Sequence, residues 1–113
     1  PYTKPTHHII GERELSQMKL RSVLVNIARG GIVDDRALIK ALKEKTIFAA
    51  GLDVYEGEPQ LDPEFLKLEN VVLSPHIGSA SEPTRRAMAM AAARNLVAVL
   101  ANSEKPINLV RPN

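Results

Sequence analysis

Three apolar runs alternate with helical patterns along the chain. The runs cover residues 22–28, 47–54 and 71–74, and the first is rich in β-branched side chains. Continuous apolar runs of this length are typical of strands that are buried on both faces of a parallel sheet. We therefore predict two such strands in the first two runs, with Gly51 allowing a close approach in the second. The third run predicts a short strand that ends at Pro75.

Helical spacing appears before, between and after these runs. Residues 34–45 carry apolar side chains on one face, and Asp34 is the expected N-cap of this amphipathic helix. Shorter helical segments are predicted at 12–19 and 63–68. A long helix is predicted over 81–101, and because it is apolar on most sides we expect it to be buried between other elements.

The predicted order of elements is β-α-β, a short helix, β and α. Such alternation is typical of an α/β fold with a parallel sheet and right-handed crossovers. Three strands are few for a parallel sheet that must be covered on both faces. The chain begins at Pro1 and has no initiator Met. We therefore expect it to be part of a longer protein, and the tail over 105–113 to be extended.

Composition narrows the classes of function. The 113 residues are 44% hydrophobic and 25% charged, which is ordinary for a globular domain, and carry a formal charge of only +2. No basic block is interleaved with aromatic residues, so a nucleic-acid partner has little support. The most apolar stretch, 87–93, is too short to cross a membrane. The absence of cysteine excludes a disulfide scaffold and fits a reducing compartment, so we predict a cytoplasmic location.

Polar side chains follow each predicted strand. Arg29 follows the first strand, Asp53 ends the second with Glu58 beyond it, and His76 follows the third. The carboxyl ends of parallel strands meet at one edge, where α/β proteins bind ligands. There, a guanidinium can bind a carboxylate through two hydrogen bonds, and an imidazole can act as a general acid or base near neutral pH. Glu58 would orient the imidazole of His76.

Each of these residues also has a structural interpretation. Arg29 stands before two glycines and is equally compatible with a surface loop. His76 after Pro75 is compatible with a loop histidine, Glu58 with a solvated side chain, and Asp53 with a helix cap or turn former.

The other two histidines, His7 and His8, are adjacent. They cannot share a strand face or a helical spacing, so we predict loop or helix-start residues and no metal site. The pair Gly30 and Gly31 predicts a turn, because the glycine spacing of a phosphate-binding loop is absent from the sequence.

Three segments carry a family resemblance that extends over essentially the whole chain. Residues 25–34 (VNIARGGIVD) resemble the V-N-x-x-R-G-x-x-V-D signature of the D-isomer-specific 2-hydroxyacid dehydrogenases. Residues 50–59 (AGLDVYEGEP) resemble that family's G-x-D-V-[FY]-x-x-E-P segment, and 70–81 (NVVLSPHIGSAS) its N-V-x-x-[ST]-P-H-I-[GA] segment. Within the family, the chain is most similar to the glyoxylate/hydroxypyruvate and 2-ketogluconate reductases.

The resemblance implies a role for each matching position. Arg29 would bind the carboxylate and keto oxygen of a small 2-oxo acid, and His76, partnered by Glu58, would exchange a proton with that oxygen. Asp53 would hydrogen-bond the carboxamide of the nicotinamide of NAD or NADP. The further residues implied to contact this cofactor are Ile27, Ala28, Arg29, His76, Ile77, Gly78 and Ser79.

The resemblance also implies a domain organisation. Residues 1–81 would form the later half of a Rossmann-like NAD(P)-binding domain, and 82–113 would return to a substrate domain. The family's phosphate loop and the residue that selects NAD or NADP lie upstream of the matching segments. We therefore expect the isolated 113-residue chain to be inactive and the full-length parent to be a homodimer. The alternative is a non-catalytic interaction protein that binds a partner through its sheet edge and the apolar face of helix 82–101.

Overall fold

A computed structural model describes residues 1–110, which divide into two compact units, Pro1–Ile77 and a second that begins at Gly78. The last three residues of the predicted extended tail lie outside this range. The elements of the first unit, besides 3-10 turns at Lys4–Thr6 and Pro63–Lys67, are α1 (Glu12–Ser16), β1 (Val23–Asn26), α2 (Asp35–Lys43), β2 (Ala49–Leu52) and β3 (Val71–Leu73). The second unit contains α3 (Glu82–Leu100).

The three strands form one parallel sheet in the order β1-β2-β3. Val23 pairs with Ala49, and Ala50 pairs with Val71, so the three carboxyl ends lie at the same edge. This arrangement confirms the predicted α/β fold with a parallel sheet. Each strand is shorter than the apolar run that predicted it, because the flanking residues leave the ladder and enter the loops.

The core lies between one face of the sheet and the helices α1 and α2. Its residues are buried apolar side chains, namely Leu15, Leu24, Val33, Leu38, Ile39, Ala41, Leu42, Ile47, Ala50, Leu52 and Phe65. The predicted cap of α2 is confirmed, since the Asp34 side chain accepts a hydrogen bond of 3.0 Å from the Ala37 N–H. This bond satisfies a donor that the first turn of a helix leaves unpaired.

The prediction that the first strand is buried on both faces is wrong for the described chain. Val23 and Val25 of β1, with Ile27 just beyond it, are between 55% and 72% exposed, whereas Leu24 and Asn26 are buried. Residues alternate between the two faces of a strand. Since α1 and α2 pack on the face of Leu24, no described element of the first unit covers the other face.

The prediction that the long helix is buried is also wrong for the described residues. Ala98 is its buried residue, while apolar side chains such as Met88, Leu96 and Leu100 are about half exposed or more. Within the second unit, the segment after the helix is held mainly by polar contacts, such as the 3.0 Å bond from the Ile107 N–H to the Asn95 side chain. Such contacts cannot bury a helix that is apolar on most sides. No helix among the described residues is long and apolar enough to cross a membrane.

The close backbone approach occurs at a glycine that the pattern did not single out. A Cβ atom on Gly51 would meet only the Val25 side chain, at an ordinary 3.9 Å. A Cβ atom on Gly30 would lie 1.7 Å from the carbonyl oxygen of Tyr55. The loop after β1 therefore rests directly on the backbone that follows β2, and only glycine fits there.

We predict that Gly30→Ala lowers the free energy of unfolding by about 3 kcal/mol, because the new methyl group must displace backbone atoms rather than a flexible side chain. Denaturant unfolding measures this change. The matched control is Gly51→Ala, which should be neutral or slightly stabilising because the methyl group fits and alanine loses less entropy on folding. Equal stability of the two variants would contradict the tight contact.

Candidate active site

The loops that follow the three strands meet at the carboxyl edge of the sheet. The Asp53 N–H donates to the Asn26 carbonyl over 3.0 Å, and the Ser74 N–H donates to the Leu52 carbonyl over 2.8 Å. These bonds continue the ladder one residue past β2 and β3. The candidate residues Arg29, Glu58 and His76 are placed by the loops that begin here.

His76 and Glu58 form the central contact of this edge. Nδ1 of His76 lies 2.7 Å from the Glu58 carboxylate, although 18 residues separate them in the sequence. His76 has a φ of 52°, a left-handed conformation that is uncommon for residues other than glycine. The predicted partnership of these two side chains is thus present in the geometry, and their catalytic roles remain predictions.

The second carboxylate oxygen of Glu58 is also held. The Tyr55 N–H donates to it over 2.8 Å, so the carboxylate is fixed by a backbone donor and by the imidazole. The hydrogen bond to His76, followed by the bond from Tyr55, lowers the pKa of Glu58 below its ordinary value. Glu58 is therefore an anion at neutral pH, as a partner that orients an imidazole must be.

Tyr55 also belongs to this site, although the sequence analysis did not single it out. Its hydroxyl is 2.7 Å from the Ser74 carbonyl and 3.1 Å from the Leu52 carbonyl, so it bridges the ends of β2 and β3. Burial raises the pKa of this phenol, which keeps the hydroxyl protonated as a donor. The available signal was the aromatic residue directly after the Asp-Val pair at the strand end.

Asp53 is buried and organises the turn that carries His76. Its Oδ1 accepts hydrogen bonds from the Ser74 hydroxyl and, over 2.8 Å, from the Ile77 N–H. These contacts match the turn-forming interpretation of Asp53. Its expected contact with the nicotinamide carboxamide remains a prediction.

Arg29 lies in the exposed loop after β1. Its guanidinium donates to the Ala28 carbonyl over 2.6 Å, which uses one of its five N–H groups. The buried Asn26 side chain supports this loop, since it accepts from the Ala28 N–H and donates to the Arg29 carbonyl. The sequence analysis did not assign a role to Asn26, although it is a polar residue within the apolar run 22–28.

A cavity of about 640 Å³ opens beside the His76–Glu58 pair. Its lining residues are Tyr55, Glu58, Pro59, Leu61, Leu66, Leu73, Ser74, Pro75 and His76. Arg29 is not among these residues, so the structure joins two of the three candidate catalytic side chains in one cavity and leaves the third on the neighbouring loop.

Besides Arg29, Asp53 and His76, the residues expected to contact a cofactor fall into two groups. Ile27, Ala28 and Ile77 are exposed in loops at the carboxyl edge. Gly78 and Ser79 belong to the second unit. Ile27 follows β1 and Ile77 follows β3, so two of the loops at this edge each carry an exposed isoleucine. Exposed apolar side chains of this kind are compatible with a flat, partly apolar ligand.

Comparison with known proteins identifies the fold family. Residues 1–78 match the family model described as "D-isomer specific 2-hydroxyacid dehydrogenase, NAD binding domain". The chain is 56% identical to the glyoxylate reductase of Thermococcus litoralis over 97% of its own length and 33% of that protein. It is 53% identical to glyoxylate/hydroxypyruvate reductase B of Enterobacter agglomerans, over 99% of the chain and 35% of that protein.

A solved structure gives the same result. The NADPH-dependent glyoxylate/hydroxypyruvate reductase of Sinorhizobium meliloti, in complex with NADP and malonate, aligns with a TM-score of 0.87 and 37% identity. The alignment covers 99% of this chain and 37% of that one. The chain thus spans about a third of the length of the relatives it matches, and the family resemblance of the sequence is confirmed.

We predict that Glu58→Gln destabilises the protein at neutral pH and has less effect in acid. The lowered pKa means that ionised Glu58 stabilises the fold above its unfolded-state pKa, near 4.5. This stabilisation is lost as the pH falls through the lower pKa of the folded state, where the native side chain becomes neutral too.

Denaturant unfolding of both proteins at neutral pH and below pH 3 measures the difference. The control is Glu69→Gln, at an exposed glutamate just before β3, which should leave stability nearly unchanged at both pH values. A destabilisation by Glu58→Gln that is the same at both pH values would contradict the assigned charge interaction.

Proposed function

Because the chain belongs to the D-isomer specific 2-hydroxyacid dehydrogenase family, we propose that its protein catalyses hydride transfer between NAD(P)H and a small 2-oxo acid. Glyoxylate and hydroxypyruvate are the proposed substrates, since these compounds stand in the names of the relatives. The observation that carries the proposal is the 2.7 Å contact between His76 and Glu58 at the carboxyl edge of the sheet.

The chemistry of this edge fits the nicotinamide end of the cofactor. Exposed Ile27 and Ile77 offer apolar contacts to a flat ring. Ala28 follows Ile27 in the sequence, and Asp53 accepts a hydrogen bond from the Ile77 N–H at the same edge. When bound, the reduced nicotinamide supplies a hydride to the carbonyl carbon of the substrate. The contacts of Gly78 and Ser79 with the cofactor are proposed on the same family basis.

His76 is the proposed acid that protonates the keto oxygen. The ionised Glu58 accepts a hydrogen bond, so Nδ1 of His76 carries a proton and Nε2 is the nitrogen that faces substrate. As the acid, His76 is an imidazolium with a proton on each ring nitrogen. When Nε2 gives its proton to the keto oxygen, the ring becomes neutral and keeps its Nδ1–H bond to Glu58. In the reverse direction, Nε2 takes the proton from the hydroxyl group.

Arg29 is the proposed binding residue for the substrate carboxylate. Its guanidinium is exposed and keeps further N–H donors besides the one bonded to Ala28. A planar guanidinium matches the two oxygens of a carboxylate. Its positive charge also favours the negative charge that develops on the keto oxygen during reduction.

Other proposals concern the whole protein. The division into an NAD(P)-binding part over 1–81 and a substrate-domain part over 82–113 is one of them. The exposed apolar side chains of α3 support the proposed homodimer, and the absence of cysteine supports the proposed cytoplasmic location.

We predict that His76→Gln in the full-length protein lowers kcat by roughly 10²- to 10⁴-fold, the usual contribution of a general acid. Arg29→Gln should lower kcat/KM for glyoxylate roughly 10²-fold or more, because the substrate carboxylate loses its charged partner. Steady-state reduction of glyoxylate, hydroxypyruvate and 2-ketogluconate with NADH and with NADPH measures both effects.

Arg21→Gln is the matched control for Arg29→Gln. Arg21 is an exposed arginine just before β1, at the opposite end of the strand from Arg29. Its replacement should leave kcat and kcat/KM unchanged. Unchanged kcat/KM in both the His76 and the Arg29 variant would overturn the proposal. Absence of reductase activity in the native full-length protein would overturn it too, and would support the non-catalytic interaction protein, which the exposed apolar face of β1 also favours.

A further inference from the structure

A second cluster of chemically active side chains lies outside the candidate active site. His7 and His8 precede α1, and Glu56 lies in the loop after β2, 48 residues from His8. Nε2 of His8 is 3.0 Å and 2.9 Å from the two oxygens of Glu56. One ring nitrogen of each histidine and one carboxylate oxygen of Glu56 all lie within 4.8 Å of one another.

The backbone explains how two adjacent histidines reach the same side. His8 has a φ of 50°, and its N–H donates to the Gly31 carbonyl over 2.8 Å. This left-handed turn stacks the two rings with centroids 3.7 Å apart and planes inclined by 27°. The argument that adjacent residues cannot share a face holds for regular strands and helices, and it fails at this turn.

The remaining ring nitrogens already have partners. The Tyr2 hydroxyl is 3.0 Å from Nδ1 of His7, and Oδ2 of Asp34 is 3.5 Å from Nδ1 of His8. Histidines that bind metals commonly use one nitrogen for the metal and the other for a hydroxyl, carbonyl or carboxylate that fixes the ring. This pattern assigns Nε2 of both histidines to a ligand.

We propose that His7, His8 and Glu56 bind a divalent transition-metal ion of the Zn²⁺ type. Two imidazoles and one carboxylate are a common ligand set for Zn²⁺, with water completing the coordination. Mg²⁺ and Ca²⁺ prefer sites made of oxygen ligands. Binding requires the exposed ring of His7 and the half-buried ring of His8 to open from the stacked arrangement until both Nε2 lone pairs point at one ion.

The ion would join two segments that are distant in sequence. His7 and His8 belong to the chain before α1, and Glu56 stands two residues before Glu58. The loop is already anchored near this point, since the Glu56 N–H donates to the buried Asp35 carboxylate over 2.9 Å. A bound ion would add a second anchor, and so raise the thermal stability of the protein by ligand linkage.

The test is a calorimetric titration of the untagged full-length protein with Zn²⁺, repeated with Mg²⁺. We expect one Zn²⁺ per chain with a Kd on the order of 10 µM, weaker than four-ligand structural sites, and no binding of Mg²⁺. His8→Asn, which tolerates the left-handed backbone, and His7→Gln should each weaken Zn²⁺ binding roughly 10-fold or more. Zn²⁺ should raise the melting temperature of the native protein and have little effect on these variants.

His76→Asn is the matched control. Like His8, His76 has a positive φ and contacts a glutamate, but the three side chains proposed to hold the metal do not include it. Its replacement should leave Zn²⁺ affinity unchanged. Absence of Zn²⁺ binding to the native protein, or equal affinity in the native and His8→Asn proteins, would overturn the proposal. Loss of binding in His76→Asn alone would place the ion at the other histidine and would overturn it as well.

Discussion

The contact between Gly30 and the backbone of Tyr55 is the constraint on which the carboxyl edge of the sheet depends. Three groups of Tyr55 face three different loops. Its carbonyl lies against Gly30, its N–H holds Glu58, and its hydroxyl bridges to the Ser74 carbonyl. Arg29 is next to Gly30, and His76 is two residues after Ser74. Contacts of Tyr55 therefore help to position all three candidate catalytic residues.

The ladder of the sheet ends before these residues begin, so other groups must satisfy the backbone beyond it. Asn26 accepts from the Ala28 N–H, and Asp53 accepts from the Ile77 N–H. Both side chains are buried, whereas Arg29 and His76 are exposed. Burial thus separates the polar residues that build the edge from those that are free to meet a ligand, a distinction that residue type alone does not give.

The sequence predicted the features that depend on local pattern or on motif. The parallel sheet, the cap at Asp34 and the pairing of Glu58 with His76 are of this kind. It failed where the outcome depends on what packs against an element, since an apolar run such as β1 shows a preference for burial and not which element covers it.

The hydrophobic pattern of the sequence also could not predict where two backbone segments approach closely or where the backbone adopts a positive φ. Gly30 and Gly51 differ only in what lies opposite them in space, and the sequence could not distinguish them. The positive φ of His8 and of His76 is set by hydrogen bonds and packing in the folded chain. For the same reason, the partner of His8 came from a loop 48 residues away.

The carboxylates around the loop over 55–60 are in contrasting environments, and the contrast bears on the proposed chemistry. Burial raises the pKa of Asp35 above its ordinary value, even though it accepts a hydrogen bond from the Glu56 N–H. Glu58 is more exposed and has two donors, and its pKa is lowered. An ionised Glu58 can only accept a hydrogen bond, so it fixes which nitrogen of His76 carries the retained proton. Because Glu58 is exposed, its ionised carboxylate has a small desolvation cost. The charge of this carboxylate in turn orients the imidazole of His76.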